Sequence, residues 1–329
     1  MENKVLVTGA PGFLGNQLID TLLKDDRKIT CLVHPSMKSP QFDSMFTYSD
    51  KVTVEFVDVR APLEQLQGYM KGMDSVFNCA GMQHPVYTKE IYTVNRDAPA
   101  HLLQAAINSG VKKFVHVSSS SIHGENKKGE VMDEETPFHP LTHYAKSKVQ
   151  GEHLLLKLAD KGVTLSMIRP SVFYGSPASK NLNELMDGLR KGKKMPYIGK
   201  EGSLRSYVAL QQVCDALVLA EQKSKTGEAY LITDTEPLTT KQFFQSICNG
   251  LKVECKTRSL PTFSSRIGEG VAMFAGSMGK HLRMANILGE FGRNHVVSNA
   301  KAVKELGFNA IEESTTGLQS MGRNFISGE

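Results

Sequence analysis

Residues 5–15 have the sequence Val5-Leu-Val-Thr-Gly9-Ala-Pro-Gly12-Phe-Leu-Gly15, in which an apolar strand runs directly into glycines spaced three residues apart. Gly9 lets the chain leave the strand in a backbone conformation that side chains resist, and Gly12 leaves room for a pyrophosphate beside the backbone. Gly15 lets the following helix pack close to the sheet, and the first N–H groups of that helix point at the phosphates. The pattern therefore predicts a nucleotide-binding turn.

Strand-like runs alternate with helical patterns along the first half of the chain. Strands are predicted at residues 4–8, 28–34, 52–58, 75–80, 112–118 and 165–169, with a helix at residues 16–24. This alternation is typical of a doubly wound parallel sheet. We therefore predict an α/β fold of the Rossmann type with a smaller C-terminal substrate lobe.

The predicted domain boundary lies near Pro170, where the alternating pattern loosens. Residues 1–170 are predicted to form the nucleotide-binding domain, to which residues 207–222 return. Residues 171–329 are predicted to form mainly the substrate-binding lobe, and a strand at about residues 229–233 is assigned to that lobe.

The segment Tyr144-Ala-Lys-Ser-Lys148 places a tyrosine and a lysine four residues apart, so both would share one face of a helix. A free phenol has a pKa of about 10, so a tyrosine that works near neutral pH needs a nearby cation. The ammonium of Lys148 would supply that charge, and an oxidised nicotinamide would act in the same direction. Tyr144 could then give a proton to a carbonyl as hydride arrives, or take one from an alcohol as hydride leaves.

The segment Lys113-Phe-Val-His-Val117 is a predicted strand that leads into Ser118-Ser-Ser-Ser121 and then Ile122-His-Gly124. Hydroxyl groups at the carboxyl end of such a strand face the ligand crevice. The glycine turn, this serine segment and the Tyr144–Lys148 pair, in this order, resemble the extended short-chain dehydrogenase/reductase family. The resemblance covers nearly the whole chain.

The resemblance implies a catalytic triad of Ser119, Tyr144 and Lys148. Ser119 lies five residues before Gly124 and twenty-five before Tyr144, which are the spacings of the family's serine or threonine. Ser119 would hydrogen-bond the substrate oxygen, Tyr144 would act as acid or base, and Lys148 would also hold the nicotinamide ribose. Because four serines follow one another, Ser120 stays the alternative to Ser119.

The resemblance also implies how the chain binds its cofactor. Asp58 matches the family position that meets the adenine amine, and the residues after the fourth strand would line the cofactor with their backbone. The residues implied to bind the cofactor are Gly9, Pro11, Gly12, Phe13, Leu14, Gly15, His34, Ser36, Lys38, Asp58, Val59, Ala80, Gly81, Tyr144, Lys148 and Pro170.

The end of the second strand bears on the choice between NAD and NADP. A preference for NAD usually requires an acid at this position, and the sequence Cys31-Leu-Val-His34-Pro-Ser36-Met-Lys38 has none there. His34 stands where NADP-preferring relatives often carry an arginine, and Ser36 and Lys38 could reach a 2′-phosphate. We therefore favour NADP, with NAD as the alternative because a neutral histidine attracts phosphate weakly.

The residues expected at the substrate pocket are Met82, Gln83, Ser119, Ser120, Phe173 and Arg205. Arg205 matches the position where nucleotide-sugar relatives bind a diphosphate with an arginine, and it could equally brace a loop. His84, His143 and Tyr174 are also expected to face the pocket. Residues 263–284 could cap an apolar ligand, lie on a membrane surface or pack as a helix of the second lobe.

The chain is most similar to the branch of the family that holds 3β-hydroxysteroid dehydrogenases and dihydroflavonol reductases. This similarity implies an NAD(P)-dependent oxidoreductase that interconverts a secondary alcohol and a ketone on a small, largely apolar substrate of steroid, flavonoid or polyketide type. A nucleotide-sugar epimerase with tightly bound NAD is the alternative. A cofactor-sensing protein without activity is a second alternative, although such proteins commonly lose the tyrosine or the lysine.

The composition gives little support to several other classes. The net charge of +5 arises from 39 basic and 34 acidic residues, and their scatter indicates no nucleic-acid surface. No uncharged apolar run reaches the roughly 18 residues of a spanning helix, so no integral membrane segment is predicted. The five cysteines have no C-x-x-C spacing, which suits reduced thiols in the cytoplasm and indicates no metal site. A homodimer is compatible with the family resemblance.

Overall fold

The structure is a computed structural model that describes residues 3–38, 50–83, 88–159, 161–261 and 292–328. The β-strands are β1 Lys4–Thr8, β2 Lys28–Val33, β3 Val52–Phe56, β4 Ser75–Asn78, β5 Lys113–Val117, β6 Thr164–Pro170, β7 Val172–Tyr174, β8 Met195–Ile198, β9 Leu204–Arg205, β10 Tyr207–Ala209, β11 Glu228–Ile232, β12 Leu238–Thr239 and β13 Thr257–Leu260. The α-helices are α1 Phe13–Lys24, α2 Leu63–Met70, α3 Thr88–Tyr92, α4 Ala98–Asn108, α5 His143–Leu156, α6 Lys180–Arg190, α7 Leu210–Lys223, α8 Thr240–Leu251, α9 Ala300–Leu306 and α10 Ser314–Ser327. Short 3-10 turns cover Pro35–Met37 and Ser120–His123, and a π-helical turn covers Thr93–Asp97. The expected pocket residue His84 and the segment 263–284 lie outside the described residues.

The central sheet has seven parallel strands in the order β11-β6-β5-β4-β1-β2-β3. The six strands predicted before residue 170 all lie in it, and each begins within one residue of its predicted position. The strand order reverses at β1 and β4, and in doubly wound folds the carboxyl ends of the strands at such a reversal form the ligand crevice. The predicted α/β fold of the Rossmann type is confirmed.

Both faces of the sheet are buried, which explains why its strands are nearly continuous apolar runs. Successive side chains of a strand point to opposite faces. Val5 and Val7 of β1 therefore pack in a core with α1, α7 and α9, whereas Leu6 packs in a second core with α2, α4 and α5.

Strand β11 is the edge strand of the central sheet and pairs with β6, with Tyr230 opposite Ile168. The assignment of the strand at about residues 229–233 to the C-terminal lobe is therefore wrong. Its apolar side chains are buried on both faces, and the sheet edge beside β6 provides that environment. Residues 207–222 are predicted to return to the first domain, and helix α7, which covers most of them, packs against α1, β5 and β6.

Helices α6, α8 and α10 form a third, smaller core together with side chains of β7, β8 and β10. Helix α8 begins with a capping box, in which Thr239 and Gln242 each accept a backbone N–H of the other. A Cβ atom at Gly250 would overlap the carbonyl oxygen of Gln319 in α10. A glycine is therefore needed where these two helices lie against each other.

Among the described residues, no helix combines the length and the apolar character needed to cross a membrane. The same part of the chain contains no cluster of three or more His, Cys, Asp or Glu side chains suited to a metal ion. All five cysteines are free, and burial raises the pKa of Cys31 and Cys79 to about 12. These two thiols are therefore protonated at neutral pH.

Candidate active site

The glycine turn after β1 is closed by its own backbone. Gly9 has a φ of +85°, and a Cβ atom there would lie 2.6 Å from the backbone nitrogen of Ala80. The Gly12 N–H donates to the Gly9 carbonyl at 2.8 Å, and Cβ atoms at Gly12 or Gly15 would crowd that same oxygen. Gly12 also precedes α1 without a capping side chain, so the first amides of the helix are left for a ligand.

Helix α5 carries Tyr144 and Lys148 on one face. Its start is fixed by Thr142, whose hydroxyl oxygen accepts the N–H of Ala145 at 3.1 Å. Tyr144 therefore lies in the first turn and is partly buried, whereas Lys148 follows one turn later and is 2% exposed. The Lys148 Nζ atom lies 6.0 Å from the centre of the Tyr144 ring. The helix and the spacing that the sequence predicts are both present.

The environment of Lys148 lowers its affinity for a proton. Its Nζ atom donates to the Val117 carbonyl at the end of β5, at 2.8 Å. Burial lowers the pKa of Lys148 from its usual 10.5 to about 8, although the charge of Glu152 opposes this effect. The ammonium is still mostly protonated at pH 7, so a positive charge is held beside Tyr144.

Ser119 and Ser120 have different surroundings. Ser119 caps the 3-10 turn Ser120–His123, because its hydroxyl oxygen accepts the Ser121 N–H at 3.2 Å. Ser119 is partly exposed, whereas Ser120 is 3% exposed and its hydroxyl lies 2.8 Å from Nε2 of His295. Helix α5 packs against this turn.

Asn95 clamps the loop that follows β4. Its side-chain oxygen accepts the Met82 N–H at 2.8 Å, and its amide donates to the Met82 carbonyl at 2.8 Å and to Ser147 in α5 at 3.0 Å. Gly81 lies in the same loop, where a Cβ atom would be 3.4 Å from Nζ of Lys148. These contacts give Asn95 a structural role in the loop, in which Ala80 is partly buried and Gly81 is exposed.

A chain of buried hydrogen bonds runs behind the crevice and is not among the predicted site features. The Ala80 N–H donates to the Thr8 hydroxyl at 3.2 Å, the Thr8 hydroxyl donates to Asn78 at 2.7 Å, and the Asn78 amide donates to Nδ1 of His116 at 3.0 Å. Burial and the charge of Lys148 hold the pKa of His116 well below its usual value, so its ring is neutral. The signal in the sequence is a polar residue near the carboxyl end of each of three apolar strands.

The predicted cofactor residues after β2 lie beside those after β3. Nδ1 of His34 accepts the Ser36 N–H at 3.2 Å, so its Nε2 carries the proton and lies 3.3 Å from the Asp58 carboxylate. Arg60 holds the same carboxylate with two nitrogens and lowers the pKa of Asp58. Arg60 is not among the predicted site residues, although a cation two residues after a strand-end acid is visible in the sequence. Lys38 lies over the Phe56 ring at 5.4 Å.

Strand β7 points Phe173 and Tyr174 in opposite directions. The Phe173 ring stacks on Phe13 of α1, with the ring centres 5.7 Å apart, so it lies beside the glycine turn. Tyr174 is 2% exposed, and its hydroxyl donates to Asp234 at 2.7 Å. The expectation that Tyr174 faces the pocket is therefore wrong, because neighbouring residues of a strand alternate between faces.

Arg205 is expected either to bind a diphosphate or to brace a loop, and it makes a contact of the second kind. Its guanidinium donates to the Arg293 carbonyl at 3.2 Å, and its strand β9 pairs with β12. His143 is exposed, with Nδ1 2.9 Å from the Tyr92 hydroxyl. Of the other predicted pocket residues, Met82 is partly buried and Gln83 is exposed.

The remaining predicted cofactor residues differ in exposure. Leu14 lies in the first turn of α1 and is buried in the core, and Pro170 is buried at the end of β6. Pro11, Phe13 and Val59 are partly buried. Leu14 can therefore meet a ligand only through its backbone, whereas the partly buried residues also offer side-chain surface.

The glycine turn at the β1–β4 crevice and the Tyr–Lys pair on α5 are features of a nucleotide-dependent oxidoreductase class. The model of the NAD dependent epimerase/dehydratase family matches residues 5–233, which include both features. The chain belongs to this family.

Relatives with assigned activities fall into three groups. A 4-hydroxy-2-methyl-3-oxo-4-farnesyl-3,4-dihydroquinoline-1-oxide ketoreductase from Stigmatella aurantiaca is 24% identical over 99% of this chain and 98% of its own length. A 3β-hydroxysteroid dehydrogenase/decarboxylase from Arabidopsis thaliana is 25% identical over 80% of this chain, which spans half of that protein. A UDP-glucose 4-epimerase from Vibrio cholerae is 27% identical over 76% of each chain. These relatives are reductases, dehydrogenases and epimerases, and the chain is an enzyme of this kind.

A solved structure shows the same fold. The dTDP-glucose 4,6-dehydratase DesIV from Streptomyces venezuelae, solved with NAD bound, superimposes with a TM-score of 0.80. The alignment covers 98% of this chain and 97% of that one at 19% identity. The similarity confirms the Rossmann-type fold of an extended short-chain dehydrogenase/reductase.

Proposed function

We propose that the protein is an NADP-dependent ketoreductase that interconverts a ketone and a secondary alcohol on an apolar substrate. The observation that carries this proposal is the placement of Tyr144 and Lys148 on one face of α5, against the serine turn that begins at Ser119. The glycine turn Gly9–Gly15 follows β1, which is separated from β5 by β4 in the same parallel sheet, and the pyrophosphate would bind there.

The residues of the chain would bind and protonate the substrate oxygen. A nicotinamide cofactor, when bound, would supply the hydride. The Ser119 hydroxyl would donate a hydrogen bond to the carbonyl oxygen, and the Tyr144 phenol would give that oxygen a proton as negative charge develops on it. The charge held on Lys148 favours the phenolate that Tyr144 then becomes. Ser119 suits this role better than Ser120 because Ser119 is partly exposed, whereas the Ser120 hydroxyl is buried against His295.

Two observations support an apolar substrate. The relative that matches the whole chain is, by name, a ketoreductase of a farnesylated quinoline, and a second relative acts on a steroid. The stacked rings of Phe13 and Phe173 and the partly buried Met82 offer apolar surface near the crevice. Steroid-like, flavonoid-like and polyketide-like ketones are therefore the first compounds to test.

The preference for NADP is supported by the cations at the ends of β2 and β3. Arg60 and the predicted phosphate ligand His34 both contact the Asp58 carboxylate, His34 also contacts Ser36, and Lys38 follows them. We expect His34→Asp to weaken NADPH binding by about tenfold or more and to leave NADH binding unchanged or improved, because a carboxylate repels the 2′-phosphate. Fluorescence titration with both nucleotides measures this, and His101→Asp on the exposed side of α4 is the control. A loss of NADH binding in His34→Asp would contradict the assignment.

Titration of nucleotide-free protein with NADPH and NADH, followed by assays with the ketones named above, tests the whole proposal. Reversible micromolar binding of NADPH and oxidation of NADPH by a ketone would support it. Failure to oxidise NADPH or NADH with any of these ketones would refute it.

A nucleotide-sugar epimerase is the second candidate, supported by the relative from Vibrio cholerae. Such an enzyme would hold NAD through the whole reaction, so a stoichiometric NAD that resists removal from the purified protein would favour it. A protein that binds nucleotide and is inert to both ketones and nucleotide sugars would favour the cofactor-sensing alternative. The homodimer and the cytoplasmic location stay predictions, and light scattering on the purified protein measures the first.

A further inference from the structure

His295 joins the C-terminal part of the chain to the serine turn. It is 5% exposed, and its Nδ1 lies 2.6 Å from the Gly124 carbonyl while its Nε2 lies 2.8 Å from the Ser120 hydroxyl. A carbonyl oxygen only accepts hydrogen bonds, so Nδ1 carries the proton and Nε2 accepts the proton of Ser120. One imidazole ring therefore holds both ends of the turn Ser120–Gly124.

The position of the His295 ring is fixed by its own backbone. The His295 N–H donates to the Leu204 carbonyl at 2.9 Å, and the Ser206 N–H donates to the His295 carbonyl at 2.8 Å. Burial and the charge of Arg205 lower the pKa of His295 to about 3. The ring is therefore neutral near physiological pH, and both of its hydrogen bonds are kept.

The turn that His295 holds also sets the direction of the Ser119 side chain. Ser119 has an extended backbone and accepts the Ser121 N–H, so its hydroxyl is placed relative to the first residues of the turn. The next hydroxyl, on Ser120, is directed to His295. The two consecutive hydroxyls thus have different partners, since that of Ser119 lies 2.9 Å from the Ser121 hydroxyl and that of Ser120 contacts His295.

We propose that His295 is a positioning residue for Ser119, and that it acts through its hydrogen bonds to Ser120 and Gly124. The inference rests on the proposed function, because it concerns the serine that would bind the substrate oxygen. An error of about 1 Å in the placement of such a group can lower the rate by up to about a hundredfold. Loss of the His295 contacts is therefore expected to lower kcat/KM for a ketone by about tenfold, with little change in NADPH affinity.

The test is a double-mutant cycle with His295→Ala and Ser119→Ala. We measure kcat/KM for the ketone that the enzyme reduces fastest, together with the Kd of NADPH and the free energy of unfolding. If His295 acts through Ser119, its substitution lowers kcat/KM in the parent and has almost no further effect in Ser119→Ala. A tenfold loss that persists in the Ser119→Ala background would overturn the inference.

Two further variants separate positioning from general stability. His295→Gln keeps one donor and one acceptor, and it is expected to restore at least part of the lost kcat/KM. The side-chain oxygen of Asn126 accepts the N–H of Val296, the neighbour of His295, at 3.0 Å. Asn126→Ala removes this hydrogen bond and leaves the contact between His295 and Ser120 in place. It should lower the stability of the protein and leave kcat/KM of the folded enzyme nearly unchanged.

Turnover of the two single variants, Ser119→Ala and His295→Ala, separates the role of Ser119 from the role of His295. If Ser119→Ala leaves turnover unchanged, the role proposed for Ser119 is wrong. If Ser119→Ala lowers turnover but His295→Ala does not, only the inference about His295 fails.

A measurement without substrate completes the test. Hydrogen exchange of the peptide covering residues 118–126 should become faster in His295→Ala, because the amides of Ser121 and Gly124 are bonded within the turn that His295 holds. Unchanged exchange in this peptide would also overturn the inference.

Discussion

The phenol of Tyr144 is the group on which the proposed proton transfer depends. Tyr144→Phe keeps the ring that packs near Lys148 and removes only the hydroxyl. We expect turnover to fall by about a hundredfold to ten-thousandfold, with the NADPH Kd within about twofold of the parent, because the hydroxyl acts in the transition state. Steady-state kinetics and nucleotide titration measure the two quantities. An unchanged kcat would exclude the role proposed for Tyr144.

The buried charge of Lys148 is expected to lower the stability of the fold at pH 7 and to support turnover. The pKa of Lys148 is about 8 in the folded protein and 10.5 in an exposed lysine side chain, so the unfolded chain binds more protons between these two values. Stability at this site therefore rises as the pH increases from about 8 to 10.5, and at pH 7 the buried charge opposes folding. Lys148→Met should raise the free energy of unfolding by about 1–2 kcal/mol at pH 7, since the lost bond to Val117 offsets part of the gain, and should lower turnover.

Urea denaturation at pH 7 and pH 9.5 measures this effect. The advantage of Lys148→Met over the parent should shrink at the higher pH. Lys146→Met, on the exposed side of the same helix, is the matched control and should change little. A Lys148→Met protein that is less stable than the parent at pH 7 would show that the lysine is needed for folding.

Individual residues also show where prediction from sequence ends. The glycine turn and the Tyr144–Lys148 pair could be predicted because each is local, with its chemistry contained in a few adjacent residues. His295 could not be assigned in the same way, since its partners are recognised only when the chain is folded. His295 meets Ser120 across 175 positions, and no local pattern records that contact.

Helix α5 is held against the sheet by a buried ion pair between Glu152 and Arg169 of β6. Two guanidinium nitrogens of Arg169 donate to the carboxylate, at 3.0 and 2.6 Å, and both side chains are almost fully buried. Glu152→Ala should lower the free energy of unfolding by about 3–5 kcal/mol, because it leaves a buried guanidinium without its counterion. Chemical denaturation measures the loss.

Matched variants test the cause of that loss. Glu201→Ala removes the exposed partner of Lys241 and should cost less than about 1 kcal/mol. Replacing both Glu152 and Arg169 with methionine should cost less than Glu152→Ala alone. If the double variant is as unstable as the single one, the loss arises from packing and not from the unpaired charge.

The elements of the central sheet could be placed from sequence because strands buried on both faces give continuous apolar runs. The strand β11 has the same pattern, and its assignment was still wrong. Its partner β6 ends 58 positions before β11 begins, with the chain from β7 to α7 between them. Local pattern predicts a strand, whereas its neighbours in the sheet depend on the path of the whole chain.

At the scale of the whole molecule, Asp234 ties the central sheet to the smaller core. Its carboxylate accepts hydrogen bonds from Tyr174, Gln212 and Ser314 and from the backbone of Ala209, at 2.7 to 3.0 Å. Asp234→Ala should destabilise the protein by about 3 kcal/mol or more, because it leaves four buried donors without an acceptor. Thermal and urea unfolding measure the loss, and Glu236→Ala in the following loop is an exposed control. A loss below about 1 kcal/mol would mean that water replaces the carboxylate.

The edge position of β11 has a consequence for protein engineering. The chain leaves the sheet after β6, returns through α7 to add β11, and leaves again toward α8. A fragment cut after residue 170 would therefore expose the unpaired edge of β6 and invite aggregation, whereas a fragment that ends after β11 would contain all seven strands. A chimera that exchanges the predicted substrate lobe between relatives must accordingly graft two separate segments, one before β10 and one after β11. It must retain the piece between them and also α9, which packs in the core of the central sheet.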